Sequence, residues 1–219
     1  MSARVVTISA AFGAGGAAVG PAVAAELGLP FVDRAIPAQV AGEIGCTLEE
    51  ALAHDDRAES GIGRILAGAA RLPTLALGMD VYLPQNATVP PEEFVEQTES
   101  VIARTADRGG GVLLGRAAAV VLAGHEDALH VRLDGPRDRR LARAAREMPA
   151  ERERSGATGT PDRAVERMLD DNDRARTAYV KHFYGADPAD PRLYHLVIDS
   201  TRLPVHATVE LIAGAARAF

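Results

Sequence analysis

Lysine, cysteine and tryptophan are almost absent from this 219-residue chain, which has one lysine (Lys181), one cysteine (Cys46) and no tryptophan. A single cysteine excludes an internal disulfide and a cysteine-rich metal site. No apolar run reaches the roughly 20 residues that span a bilayer, and the N-terminal stretch lacks the basic start and long apolar core of a signal peptide. We therefore expect a cytoplasmic protein with no membrane partner.

The charged residues favour an arginine-based chemistry. The net charge of −6 makes non-specific nucleic-acid binding unexpected, because that binding depends on a basic surface. One of the 24 Lys+Arg residues is lysine, so 23 are arginine. Any phosphate that the protein binds must therefore be held mainly by arginine and by backbone N–H groups.

A glycine-rich turn follows the first predicted strand, Val5–Ser9, and leads into a helix that ends near Leu27. Such a strand, turn and helix N-terminus form an anion site, because free N–H groups and the positive end of the helix dipole converge there. The predicted phosphate-binding residues are Gly13, Ala14, Gly15, Gly16 and Ala17.

The turn is a poor match to the Walker A pattern G-x-x-x-x-G-K-[ST]. Only Gly15 fits; Ala10 stands at the first glycine, Gly16 at the lysine and Ala17 at the magnesium-binding hydroxyl. A degenerate nucleoside-triphosphate loop is one interpretation of the turn.

A dinucleotide-binding fingerprint is a second interpretation. Gly13-x-Gly15-x-x-Ala18 fits G-x-G-x-x-[GA], and Asp33 follows 20 residues after Gly13 at the end of a short predicted strand, where an acid would hold a ribose. A turn that merely packs the strand on the helix is a third. These residues alone leave all three open.

The rest of the chain alternates strands with helices, which predicts a parallel sheet with right-handed crossovers. Further strands are predicted at 30–32, 111–115, 128–133 and 194–199, and further helices at 90–108, 137–147, 161–183 and 205–218.

Arginines lie where a phosphoryl group would need them. Arg174 and Arg176 are close together on a long helix after the polar segment 149–160, and arginines on a movable lid can neutralise a transferring phosphate while excluding water. Arg116 follows a buried strand, at the sheet edge where α/β proteins bind ligands. The alternative is a solvated helix face paired with neighbouring acids, which also fits most arginines of 137–146.

Four segments, in matching order, resemble the cytidylate kinase-like family, a branch of the nucleoside monophosphate kinases. They are residues 7–20, 27–34, 111–116 and 171–199. The motifs that carry the resemblance are Leu27-Gly28-Leu29-Pro30-Phe31-Val32-Asp33-Arg34, Arg174-Ala175-Arg176-x-x-Tyr179, Phe183-Tyr184-Gly185 and Leu196-Val197-Ile198-Asp199.

The resemblance implies an α/β fold of the P-loop kinase type: a five-stranded parallel sheet with helices on both faces, a helical insertion and a lid. A single domain, 1–219, would have its core in 1–34, 109–148 and 190–219. The acceptor-binding insertion would cover about 35–108 and the lid about 149–185.

The function that the resemblance implies is transfer of the γ-phosphate of ATP to a nucleoside monophosphate, CMP in this branch, with Mg²⁺. Arg174 and Arg176 would stabilise the transferring group, Arg116 would hold the acceptor phosphate, and Asp33 and Arg34 would face the acceptor. The sequence assigns no metal ligand and no oligomeric state.

Two other functions stay open. The branch often carries Gly-Arg-Glu where this chain has Gly16-Ala17-Ala18, so a non-catalytic nucleotide-binding pseudokinase is the first. An NAD(P)-dependent oxidoreductase is the second, but the Tyr-x-x-x-Lys proton donor is missing, because Thr177 stands four residues before Lys181.

Overall fold

The computed structural model describes residues 3–32, 91–115, 117–147 and 161–219. Asp33, Arg34, Arg116, the segment 149–160 and most of the expected insertion lie outside these residues. The described elements are β1 (Val5–Ala10), α1 (Gly16–Leu27), β2 (Phe31–Val32), α2 (Pro91–Asp107), β3 (Gly111–Leu114), α3 (Ala118–Val121), β4 (Ala128–Asp134), α4 (Arg137–Glu147), α5 (Pro161–Tyr184), a 3₁₀ turn (Pro191–Leu193), β5 (Leu196–Asp199) and α6 (Val205–Ala218).

The described strands form a five-stranded parallel sheet in the order β2-β3-β1-β4-β5. Strand β3 is a continuous apolar run, and β1 and β4 are largely buried, because both faces of the sheet are covered. In the register of β1 and β4, Ser9 lies opposite Arg132 and Ala10 opposite Leu133. The carboxyl ends of these strands therefore meet directly below the glycine-rich turn, and the predicted fold of the P-loop kinase type is confirmed.

The strand order also decides against the dinucleotide fingerprint. In the dinucleotide-binding order 3-2-1-4-5-6, β2 lies beside β1, so that an acid at the end of β2 reaches the ribose. Here β3 pairs with both β1 and β2 and separates them. The end of β2 is therefore not next to β1 and the glycine turn in the way that the fingerprint requires.

Alternate residues of the strands supply the two faces of the core. On one face, Val6, Ile8 and Leu133 join residues of α1 and α6 in one apolar cluster. On the other face, Val5 and Leu113 pack with α2 and α3. Of the described helices, none has the length and apolar composition needed to cross a membrane.

Helices α4 and α5 pack against each other beside the glycine-rich turn. Ala144 of α4 and Val165 of α5 are buried together, and Phe12 from the turn packs against them with Leu141 and Met168. Through Phe12, the turn therefore packs against the two helices that carry most of the candidate arginines.

Candidate active site

The glycine-rich turn has the backbone shape of an anion-binding nest. Gly13 and Gly15 have φ values of 75° and 79°, in the left-handed region that glycine adopts without steric cost. The Ala14 N–H donates to the Ala11 carbonyl at 3.0 Å. Within the described part of the chain, no group accepts from the N–H of Gly13, Gly15, Gly16 or Ala17. These donors stand at the N-terminus of α1, where an anion is favoured.

Neighbouring elements hold this nest from two sides. The Ser200 hydroxyl donates to the Ala14 carbonyl at 2.7 Å, and the Ala11 N–H donates to the Leu133 carbonyl at 3.0 Å. Gly13 lies against the backbone of α4, where a Cβ would overlap the Arg140 carbonyl. The nest is therefore preorganised by the folded core.

Small residues fill the place of the missing Walker lysine. A Cβ on Gly16 would lie 2.5 Å from the Ala10 Cβ and 3.2 Å from Leu114 Cδ1. Ala10 is the residue that stands where the Walker pattern has its first glycine. The methyl group of Ala10 thus occupies the space that a lysine at position 16 would need.

Arg143 of α4 brings a cation to the nest from outside it. Its guanidinium lies so close to Gly15 that a Cβ on that glycine would overlap it. Arg143 Nη1 donates to the Ser200 carbonyl at 3.1 Å, and Nε donates to Glu147 at 2.6 Å. The positive charge that the loop lacks is therefore supplied by the helix that follows β4.

Arg176 of α5 reaches the end of β1. Its Nη2 donates to the Ser9 hydroxyl, which also contacts the Tyr194 hydroxyl at 3.1 Å. Burial, together with the nearby Arg132 guanidinium, lowers the pKa of Arg176. Arginine nevertheless stays charged at physiological pH, so Arg176 is a cation at the carboxyl edge of the sheet, as a residue that handles phosphate must be.

Arg132 is a second cation on this face of the sheet, and it is neutralised inside the protein. Its Nε donates to Asp134 at 3.0 Å, and its Nη1 donates to the Pro188 carbonyl. Its guanidinium carbon lies 5.8 Å from the centre of the Tyr194 ring. The carboxylate of Asp134 satisfies Arg132, whereas the hydrogen bond from Arg176 goes to a neutral hydroxyl.

Arg174 is placed differently from Arg176. It is exposed on α5 and interacts with neighbouring groups. The hydrogen bond from Arg137 is the main reason that the pKa of Asp170 is lowered, and the charge of Arg174 adds to it. The two arginines thus differ in environment: Arg176 donates to Ser9 at the end of β1, whereas Arg174 is exposed and contributes to the electrostatics of Asp170.

Asp199, at the end of β5, already has hydrogen-bond partners within the protein. The Asp199 carboxylate accepts from Arg139 at 2.8 Å and from the Thr201 hydroxyl, and the Thr201 hydrogen bond is the main reason that its pKa is lowered. No cluster of three or more His, Cys, Asp or Glu suited to a metal ion occurs among the described residues. Ala17 has a methyl group where a P-loop has its Mg²⁺-binding hydroxyl, so the described loop residues do not fit the ion.

Sequence reasoning missed several residues that shape this site. Ser9, Arg132, Tyr194 and Ser200 became neighbours only through the sheet and its crossovers. Their signal was weak: Ser9, Arg132 and Ser200 stand at or next to the carboxyl end of a predicted strand, where ligands bind in α/β sheets. Tyr194 stands at the start of one and had no such signal. Of the arginines in 137–146, Arg140 and Arg143 face the glycine turn, whereas Arg137 is on the exposed face with Asp170 and Glu166 as partners.

Comparison with known proteins gives the chain a family and a fold. The family model described as "Cytidylate kinase-like family" matches residues 5–202. An uncharacterized protein from Eubacterium ventriosum ATCC 27560 superposes with a TM-score of 0.62 at 16% identity, covering 99% of each chain.

Two further results are less informative. Shikimate kinase from Acinetobacter baumannii, in complex with shikimate, superposes over 96% of this chain and 93% of its own. At 14% identity and a TM-score of 0.41, that likeness carries no argument about this chain. No curated protein matches the sequence.

Proposed function

Because the chain belongs to the cytidylate kinase-like family, we propose that it transfers the γ-phosphate of ATP to a nucleoside monophosphate, with CMP as the acceptor. The observation that carries the proposal is the nest of N–H groups at Gly13, Gly15, Gly16 and Ala17, which no acceptor among the described residues pairs. The guanidinium of Arg143 lies against this nest. Such a nest binds phosphate oxygens.

The described residues divide the work of phosphoryl transfer. The loop N–H groups hold the β-phosphate, and Arg143 supplies charge beside them. Arg176 leaves the Ser9 hydroxyl for the transferring group, because an anion satisfies a guanidinium better than a neutral oxygen does. Arg174, two residues earlier on the same helix, is proposed to stabilise the transferring group together with Arg176. Arg116, Asp33 and Arg34 are proposed for the acceptor.

Magnesium would enter this site with the nucleotide. Since the described loop residues do not fit the ion, the phosphates and water would hold it. We therefore expect nucleotide affinity to depend less on Mg²⁺ than it does in a P-loop kinase with the usual hydroxyl.

A non-catalytic nucleotide-binding protein is the second candidate. It is favoured by one specific observation: Ala10 and Gly16 are packed together in the place of the Walker lysine. A protein with this loop that binds ATP without turnover would be a pseudokinase.

Calorimetric titration with ATP, CMP and NAD, each with and without Mg²⁺, tests the binding step. Phosphorus NMR of a mixture with ATP and CMP, dCMP, UMP or AMP then tests transfer. The proposal predicts ATP binding and formation of CDP. ATP binding without any diphosphate product would favour the pseudokinase, and binding of none of the three nucleotides would contradict both candidates.

A further inference from the structure

Arg140 of α4 is a buried cation that touches three different parts of the site. Only 7% of the residue is exposed. Its Nε donates to the Gly135 carbonyl at 3.0 Å, and its Nη1 donates to the Phe12 carbonyl at 2.9 Å. The carboxylate of Asp173 accepts from Nη2 at 2.8 Å. One planar guanidinium therefore joins the end of β4, the glycine turn and helix α5.

The contacts with the glycine turn affect its shape directly. The Phe12 carbonyl belongs to the peptide group that enters Gly13, the first left-handed residue of the nest. Gly13 itself lies against the Arg140 backbone. The Phe12 side chain packs between α4 and α5. The conformation of the nest thus depends on where these two helices lie.

The contact with α5 lies one turn away from Arg176. Asp173 is the carboxylate partner of Arg140, and Arg176 follows it by three residues, so both side chains project from the same face of the helix. The same docking of α5 that seats Asp173 on Arg140 brings Arg176 to Ser9.

We propose that Arg140 is a positioning residue, with Asp173 as its partner, that ties the conformation of the glycine nest to the docking of α5. When α5 moves away, Arg140 loses the hydrogen-bonded carboxylate of Asp173 and keeps only the more distant Asp134, whose Oδ1 lies 3.6 Å from Nε. The Phe12 carbonyl then loses a fixed donor. The nest is then shaped for phosphate only while Arg176 is in place. The benefit for nucleotide binding rests on the proposed function, whereas the coupling itself does not.

A second ion pair between the same helices provides a matched control. Arg137 of α4 donates to Asp170 of α5 at 2.8 Å, but it is exposed. Among the described residues, its hydrogen-bond partners are Asp170 and Glu166 of α5 rather than the glycine turn. If any α4–α5 ion pair sufficed, Asp170→Asn and Asp173→Asn would have the same effect on the nest. If Arg140 carries the coupling, Asp173→Asn will change the conformation of the nest and Asp170→Asn will not.

The test is amide exchange at Ala14, measured by NMR in the nucleotide-free protein. The Ala14 N–H is buried and bonds the Ala11 carbonyl inside the turn. In Asp173→Asn we expect this amide to exchange faster by about tenfold, because a hydrogen bond with a charged partner is lost. The Gly13 amide resonance should shift as well. Arg140→Lys keeps the positive charge but loses the planar guanidinium that bonds several acceptors at once. It should therefore speed the exchange of the Ala14 amide as Asp173→Asn does.

Asp170→Asn, which removes the ion pair between Arg137 of α4 and Asp170 of α5, is the control for this experiment. Asp170→Asn should leave the exchange of Ala14 and the resonance of Gly13 as in the wild type. Unchanged exchange in Asp173→Asn, or an equal change in Asp170→Asn, would overturn the coupling.

Calorimetric titration with ATP then tests whether the coupling contributes to nucleotide binding. We expect Asp173→Asn to bind ATP more weakly than the wild type and Asp170→Asn to bind it as the wild type does. If ATP does not bind the wild type, the proposed function fails while the NMR result still decides the coupling.

Discussion

Glycine is needed at position 13 for two separate reasons. Its φ of 75° lies in the left-handed region, and its Cα lies against the Arg140 carbonyl, where no Cβ fits. Gly28, which ends α1 with a φ of 64°, shares the first reason but has no atom within 4 Å of a built Cβ. The pair therefore separates backbone strain from close packing.

We predict that Gly13→Ala lowers the free energy of unfolding more than Gly28→Ala does. Gly28→Ala should cost about 1–2 kcal/mol, the usual cost of a left-handed alanine, whereas Gly13→Ala adds an overlap with backbone. Denaturant unfolding of both variants measures the difference. Equal losses would show that the turn moves away from Arg140 without cost.

The residues that could be named from the sequence are those that carry their own signal. Glycines in a turn after an apolar strand predicted the anion nest, and the spacing of Arg174 and Arg176 selected a helix that does reach the sheet edge. Nothing local distinguished buried Arg140 from exposed Arg137, three residues before it. That distinction depends on which face of α4 meets α5 and the turn, which is a tertiary property.

At the scale of elements, the sequence predictions were accurate where periodicity was strong. The bounds of α4 (Arg137–Glu147) and α6 (Val205–Ala218) are as predicted, and β4 (Ala128–Asp134) differs by one residue. The four-residue α3 (Ala118–Val121) was missed because four consecutive apolar residues are too few to show a helical period. Strand order was decided only by pairing, because local patterns do not say that β3 lies between β1 and β2.

Where β1, the turn and α1 meet, substitutions can test whether side-chain packing prevents a lysine at position 16. Gly16→Lys alone places its Cβ 2.5 Å from the Ala10 Cβ. With Ala10→Gly added, the nearest remaining atoms are Leu114 Cδ1 at 3.2 Å and the residue 10 Cα at 4.0 Å. The methyl group of Ala10 is therefore the main obstacle.

We expect a favourable coupling between these substitutions in a double-mutant cycle. Its size should be about 0.5–3 kcal/mol, the range for residues in direct contact. Denaturant unfolding measures the coupling, and calorimetry shows whether the double variant binds ATP more tightly. Additive effects would mean that the site of the Walker lysine is not closed by Ala10.

At the scale of the whole molecule, a buried histidine links stability to pH. Burial, with a further contribution from the charge of His195, lowers the pKa of His130 from 6.5 to about 4. His130 Nδ1 lies 2.8 Å from the Thr7 hydroxyl, and its ring stacks on that of His195. The folded protein thus favours the neutral form.

The unfolded chain takes up this proton at a higher pH than the folded chain does, so His130 destabilises the fold as pH falls from 6.5 towards 4. The difference between a pKa of 6.5 in the unfolded chain and about 4 in the folded protein corresponds to about 3 kcal/mol at the low end of this window. Denaturant unfolding between pH 4 and 7 should show the loss in the wild type and a smaller one in His130→Asn. Parallel pH profiles for the two proteins would contradict the assignment.

The central claim, that α5 delivers Arg176 to a working phosphoryl-transfer site, predicts a large effect on rate and a small one on stability. A transition-state arginine in phosphoryl transfer contributes about 10³–10⁵ in rate. Removing Arg176 also relieves its proximity to Arg132, so we expect the melting temperature to change little. Arg167, an exposed arginine on the same helix, is the control.

The decisive measurement is the rate of CDP formation from ATP and CMP by the wild type, Arg176→Ala and Arg167→Ala, with melting recorded for each. The account predicts measurable turnover in the wild type and in Arg167→Ala, and near-complete loss in Arg176→Ala. Wild-type turnover at background, or turnover that survives in Arg176→Ala, would contradict it.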